Sequence, residues 1–266
     1  MATTTVWADV ASAVTGKDVP SIISGDKIDP HHYEPSAADL AKVREAEILV
    51  ANGGGYDASL YTVAEQDRII HAAPLLSEAE AKEHNHDHDH EGHDHDHAHD
   101  HAHDHGDIDD FEHAWFSPSK VKEVADAVAR RTGGDAGDVD KRMDAITERL
   151  GTLPHVHAAM TEPIAAPLLW GTEVHDITPE GYMASAINES EPSVQDVAAF
   201  IEEIDAGHID FLIVNTQSTN NATEQLEKAA RAAGVPIVEI RETPPEGMNF
   251  LDYFERVVDD ILTAVA

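Results

Sequence analysis

Short β-branched runs alternate along the chain with stretches where apolar residues recur every three or four positions. Val19–Ile23 is a run of the first kind, and Ala37–Glu47 follows with Leu40 and Val43 at helical spacing. Ile48, Leu49 and Val50 then lead into Asn52-Gly53-Gly54-Gly55, a glycine turn that lets backbone approach closely. Arg68–Ala72 reads as another short strand. Val121, Val124 and Val128 fit one helix face, and Val139, Met143, Ile146 and Leu150 fit another.

The second half repeats the alternation more cleanly. Val156–Met160 is predicted as a strand, and Val194, Val197, Ile201 and Ile204 mark a helix. Ile209–Val214 is predicted as a strand, apolar except at Asp210, of the buried parallel-strand kind. A helix over Ala222–Ala233, a strand over Val235–Ile240 and a last helix carrying Phe250, Phe254, Val257, Val258 and Ile261 complete the pattern. Strand–helix alternation on both sides of a two-helix middle predicts an α/β fold of two lobes joined by helix. The expected division is an N-terminal lobe over 1–117, a helical linker over 118–153 and a C-terminal lobe over 154–266. Ligands in such folds sit at the carboxyl ends of the strands.

Composition narrows the chemistry. With 52 Asp and Glu against 17 Lys and Arg, the formal charge is −35 over 266 residues. Such a surface repels nucleic acid and anionic lipid and draws in cations, so no nucleic-acid partner is expected. There is no cysteine, which excludes disulfides, thiolate metal sites and a cysteine nucleophile. Any metal must be held by imidazole and carboxylate. No run approaches the ~20 apolar residues of a membrane span. The N-terminus lacks a basic segment followed by an apolar one, so the expectation is a mature domain without its export signal.

One tract stands apart. From His84 to His105 the chain alternates His with Asp, placing imidazoles at His84, His86, His88, His90, His93, His95, His97, His99, His101, His103 and His105. It forms part of a predicted disordered loop over 83–107, because it has no apolar surface to bury. Imidazole suits Zn, Cu and Ni, so the tract is expected to bind metal weakly and with variable stoichiometry.

Isolated residues at strand-to-helix junctions suggest a second, stiffer site. Asp29-Pro30-His31-His32-Tyr33-Glu34-Pro35-Ser36 is stiffened by two prolines, and Ser36 is placed to cap a helix. Glu112-His113-Ala114-Trp115-Phe116-Ser117-Pro118 precedes the next helix in the same way. Glu162 follows the strand Val156–Met160, where it could also cap the next helix, and Glu242 follows the strand Val235–Ile240. Four imidazole or carboxylate groups match the number zinc prefers.

In order, these motifs resemble the substrate-binding proteins of zinc/manganese ABC importers, the cluster A-I metal receptors. The resemblance covers nearly the whole chain: DPHHYEPSAADLAKVREAEILVANGGGYD, EHAWFSP, TEP, EPSVQDVAAF and VNTQSTNNATEQLEKAARAAGVPIVEIRETPPEG. It implies a metal site between two lobes bridged by a rigid helix, and Val139–Leu150 fits that bridge. Carried over residue by residue, the ligands would be His31, His113 and Glu162. The family usually has an Asp in the last loop, where this chain offers Glu242, with Glu246 as second choice. His32, His155, His157 and His175 are candidates that the resemblance does not select.

The implied function is an extracytoplasmic receptor, periplasmic or anchored at the cell surface, and not an enzyme. It would capture Zn(II) and deliver it to the membrane permease of an ABC importer, acting as a monomer. The chain has no Walker-type GxxxxGK[ST], so the ATPase must be another polypeptide. Manganese or iron uptake on the same fold is the nearest alternative, since two carboxylates favour Mn more than a three-His set would. A zinc buffer acting through the tract leaves the ordered motifs unexplained. A zinc hydrolase would be expected to carry a compact motif such as HExxH, which is absent.

Overall fold

The computed structural model describes residues 1–25, 33–77, 79–81, 112–188 and 190–266. In chain order the described elements begin with β1 (Ala2–Thr4), α1 (Thr5–Thr15), β2 (Ser21–Ile23), α2 (Ala37–Glu45), β3 (Leu49–Ala51), α3 (Ala58–Tyr61) and β4 (Ile69–His71). Two helices, α4 (Pro118–Thr132) and α5 (Gly137–Leu150), carry the chain onward. Then come β5 (Val156–Met160), α6 (Ala166–Leu169), β6 (Val174–Asp176), α7 (Glu180–Ile187), α8 (Val194–Asp205), β7 (Phe211–Asn215), α9 (Asn221–Ala233), β8 (Ile237–Ile240) and α10 (Phe250–Ala264). Two four-stranded sheets result, ordered β2-β1-β3-β4 and β6-β5-β7-β8, with every pairing parallel. These are the two α/β lobes expected.

Local chemistry sets the helix ends. Ser117 caps α4 by accepting from the Lys120 backbone N–H, Pro118 occupies the first turn, and Gly133 ends the helix in the left-handed conformation. Asn220 and Gly234 do the same for α9, and Asn249 caps α10. Ser36 and Asp39 form a reciprocal capping box on α2, as the position of Ser36 predicted.

Helices α1, α4, α5 and α10 pack on one another as a layer that both sheets share. Val50 and Ile70 of the first sheet and Ala158, Met160, Phe211, Ile213, Val238 and Ile240 of the second belong to one continuous core with them. The opposite face of the second sheet has its own core around Phe200, Leu212 and Leu226. Ile23, Leu49 and Tyr61 belong to the corresponding core of the first. Among the described residues no helix is long and apolar enough to cross a membrane.

Several elements were not predicted, among them β1, α1, β6 and α7. Strand β1 has three residues, too few to show a period, and passes directly into α1, whose buried Val6, Val10 and Val14 at helical spacing were not read as a helix. Strand β6 is an edge strand with two exposed polar residues out of three. Helix α7 buries only Tyr182, which leaves no apolar stripe to read. Predicted boundaries also move inward: the first run narrows to Ser21–Ile23, the helix after Ser36 ends at Glu45, and the strands predicted from Arg68, Ile209 and Val235 begin at Ile69, Phe211 and Ile237.

The glycine turn after β3 is built around a buried carboxylate. Asp57 accepts from the backbone N–H groups of Asn52 at 2.7 Å and Gly53 at 2.9 Å, and from the Thr3 hydroxyl at 2.6 Å. Gly53 has φ +89°, and a Cβ there would lie 2.1 Å from the Ala73 carbonyl oxygen. Only glycine fits that approach. Burial outweighs the three hydrogen bonds and pushes the Asp57 carboxyl up to about 6.

A carboxyl whose pKa rises on folding binds more protons folded than unfolded below that pKa, so stability falls as pH climbs toward it. Relative to Asp57→Asn, the native protein should therefore lose about 1.4 kcal/mol of unfolding free energy between pH 5 and pH 7.5. Urea unfolding of both proteins at the two pH values checks this. A difference independent of pH would show that Asp57 titrates as it does in the unfolded chain.

Candidate metal centre

His113 immediately precedes a 3-10 turn over Ala114–Phe116. Packing on both sides fixes it. Trp115 meets the imidazole edge-on at 5.2 Å between ring centres, and Phe116 packs on Phe250, Tyr253 and Phe254 of α10. The Asn52 side-chain amide donates to the Glu112 carbonyl at 2.7 Å, tying the backbone before His113 to the end of β3. The imidazole is 3% exposed.

The second lobe brings two carboxylates to the same point. Glu162 leaves β5 in extended conformation and does not cap the turn that follows. Its Oε1 lies 3.2 Å from His113 Nε2. Glu242 lies two residues beyond β8 and is 1% exposed. The loop carrying it is held on both flanks. The Arg241 backbone N–H donates to the Tyr253 hydroxyl at 2.7 Å, and the Thr243 backbone N–H donates to Gln217 Oε1 at 2.9 Å.

Between the carboxylates stands Asn215, the last residue of β7 and fully buried. Its Nδ2 donates to Glu162 Oε2 at 2.7 Å and to Glu242 Oε1 at 2.9 Å. Its Oδ1 accepts from the Gln217 backbone N–H at 2.9 Å, which fixes the amide orientation. Tyr56, from the loop after β3, donates its hydroxyl to Glu242 Oε2 at 2.9 Å. Burial, and then the Glu242 charge, hold that phenol well above its ordinary pKa.

The result is a compact donor set between the lobes, at the carboxyl ends of β5 and β8. One ligand atom from each of His113, Glu162 and Glu242 lies within 4.8 Å of the others. Two carboxylates so close repel each other, and hydrogen bonds from neutral Asn215 and Tyr56 offset that repulsion. A cation placed between them would be attracted by both. Imidazole nitrogen with carboxylate oxygen suits borderline first-row divalent ions.

Three of the four predicted ligands thus meet. His31, with His32, lies outside the described residues, as does the histidine tract over 84–105. Glu246 is exposed and does not belong to the cluster. His155, His157 and His175 gather at the other end of β5. Sequence reasoning missed Asn215, Tyr56 and Gln217. Asn215 had one legible sign, a polar residue closing the buried apolar run Phe211–Val214 at a strand's carboxyl end. Tyr56 and Gln217 had none.

A family model described as ZnuA, zinc-uptake complex component A, periplasmic, matches residues 1–264. Among solved structures, the crystal structure of a ZnuA is similar with a TM-score of 0.66 at 19% identity, covering 100% of this chain and 99% of that one. The manganese complex of the substrate-binding protein FpvC from Pseudomonas aeruginosa also gives 0.66 at 17% identity, covering 99% and 97%. The Zn(II)-bound ZnuA-like domain of Streptococcus pneumoniae AdcA gives 0.63 at 16%, covering 99% and 97%. These likenesses establish the two-lobed fold. No curated protein matches the chain at a significant level.

Because Asn215 is the donor both carboxylates share, Asn215→Leu should lower the unfolding free energy by about 2–4 kcal/mol at neutral pH in chelator. Denaturant unfolding measures it. A loss under about 0.5 kcal/mol, the range of an ordinary surface substitution, would show that the amide does not hold the pair.

Proposed function

The chain belongs to the family of zinc-uptake complex component A, and on that footing we propose that it captures Zn(II) outside the cytoplasm and hands it to the membrane permease of an ABC importer. As a family member it is a metal-binding substrate-binding protein and not an enzyme. The observation that carries the proposal is the convergence of His113, Glu162 and Glu242 in one cluster, with His113 and Glu242 buried and Glu162 half-buried. His31 is the fourth ligand in this reading, delivered by the segment that ends where Tyr33 and Ser36 engage Asp39 at the start of α2.

Zinc is the proposed cargo on ligand grounds. Two imidazoles with two carboxylates bind zinc more tightly than manganese in the ordinary order of divalent affinities. The second reading, manganese, has a specific observation behind it. Two of the three donors in the described cluster are carboxylates, and the similar FpvC structure holds Mn2+. The monomeric state, the division at 118 and 153, and a supporting role for the histidine tract belong to the same proposal.

His31→Ala and His113→Ala should each abolish one tight equivalent of zinc in a chelator-competition assay while the far-ultraviolet dichroism is unchanged. Two variants that still hold one zinc at native affinity would overturn the assignment. Glu242→Ala should weaken binding by about tenfold or more and shrink the rise in melting temperature that zinc produces through linkage. Glu246→Ala should do neither.

The tract should add weaker equivalents that disappear below about pH 6, because protonated imidazole cannot ligate and its ordinary pKa is ~6.5. Calorimetry at pH 7.5 and 5.5, on the full chain and on one lacking 84–105, reads them directly. A single equivalent at both pH values in the full chain would refute this.

A further inference from the structure

Three histidines that the proposed centre leaves unused lie at the opposite end of β5. His155 immediately precedes β5 and His157 is its second residue, and their rings lie 5.7 Å apart. His157 is the register partner of His175 on the neighbouring edge strand β6, which sets those two side chains next to each other on one face of the sheet. The rings accordingly form a triangle, with centres 4.6 Å apart for His155 and His175, 5.7 Å for His155 and His157, and 6.3 Å for His157 and His175. None of the pairs is stacked flat; the planes are inclined by 58°, 73° and 63°.

That spacing has a chemical meaning. Two imidazoles bound through ring nitrogens to one tetrahedral zinc, at ~2.0 Å per bond, have ring centres ~5 Å apart. The observed triangle brackets this value, so rotation about side-chain bonds alone can bring three nitrogens onto one ion. The backbone beneath is fixed. The His157 N–H donates to Asp210 Oδ2 at 2.7 Å, and its carbonyl accepts from the Asp210 N–H at 2.8 Å. His155 and His175 are exposed and His157 is half-buried, leaving the outer side open to water.

We propose that His155, His157 and His175 form a second metal site, which takes one borderline divalent ion through three imidazole nitrogens and keeps a fourth position for water. The donors are all neutral nitrogen, so Zn(II), Ni(II) and Cu(II) are accepted and hard ions such as Mg(II) are refused. The site is separate from the cluster at His113. His157 lies three residues before the end of β5, about 10 Å of strand, and Glu162 follows beyond that end. Being exposed and built from one lobe alone, it exchanges metal without any change at the lobe interface.

The test is histidine acylation by diethylpyrocarbonate on the full chain, read peptide by peptide by mass spectrometry. Zn(II) in excess of all tract equivalents should slow modification of His155, His157 and His175 by about fivefold or more, and Mg(II) should not. In His175→Gln, protection of His155 and His157 should require about tenfold more Zn(II). In His113→Ala it should be unchanged, which separates this site from the proposed transport centre. Rates indifferent to Zn(II), equal protection by Mg(II), native protection in His175→Gln, or its loss in His113→Ala would each overturn the proposal.

Discussion

Helix α10 is the part on which the geometry of the proposed centre rests. Phe116, three residues after His113, packs on Phe250, Tyr253 and Phe254. The Tyr253 hydroxyl then accepts the backbone N–H of Arg241, next to Glu242. The imidazole of one lobe and the carboxylate of the other are therefore referenced to the same helix. Asp9 of α1 secures its first turn by accepting the Phe250 N–H at 2.7 Å. Phe250, Phe254, Val257, Val258 and Ile261 are buried in the core shared by both sheets, and each such side chain contributes about 1.5–3 kcal/mol. Swinging the lobes apart would expose several at once. A wide separation of the lobes would therefore be costly.

Against that rigid frame the electrostatics favour a cation strongly. Two carboxylate oxygens within 4.8 Å of each other repel by roughly 3–4 kcal/mol at the effective dielectric of a partly buried site. The three hydrogen bonds from Asn215 and Tyr56 to these carboxylates, about 1.5–3 kcal/mol each, let the pair exist, and a divalent ion would add its own attraction. Tyr56 acts in a second way. Its hydroxyl stays protonated because burial and the Glu242 charge oppose ionisation, so it remains a donor.

The sequence made the second lobe more legible than the first. Phe211–Asn215 is buried throughout and its first four residues read as an unbroken apolar run, whereas β1, β3 and β4 have three residues each, too few to establish a period. His113, Glu162 and Glu242 were found because each stands at a junction between strand and helix or turn, where such folds place ligands. Asn215, Tyr56 and Gln217 were not, because their roles depend on contacts 26 to 186 residues away. No local pattern encodes such a partner. His175 shows the same limit, since only the register of β5 with β6 sets it beside His157.

The shared donor at position 215 is an amide and not an ammonium or guanidinium, and this fixes a charge count. With Asn215 and Tyr56 neutral, the half-buried Glu162 and the buried Glu242 contribute two negative units to the cluster when both are ionised. A divalent ion would balance those two charges. A monovalent ion leaves one negative unit and a trivalent ion one positive, each a net charge removed from water at considerable cost. A lysine in place of Asn215 would have held the same carboxylates and moved the balance point by one unit. In the proposed centre a neutral amide would thus favour a divalent charge, apart from any preference set by ionic radius or ligand softness.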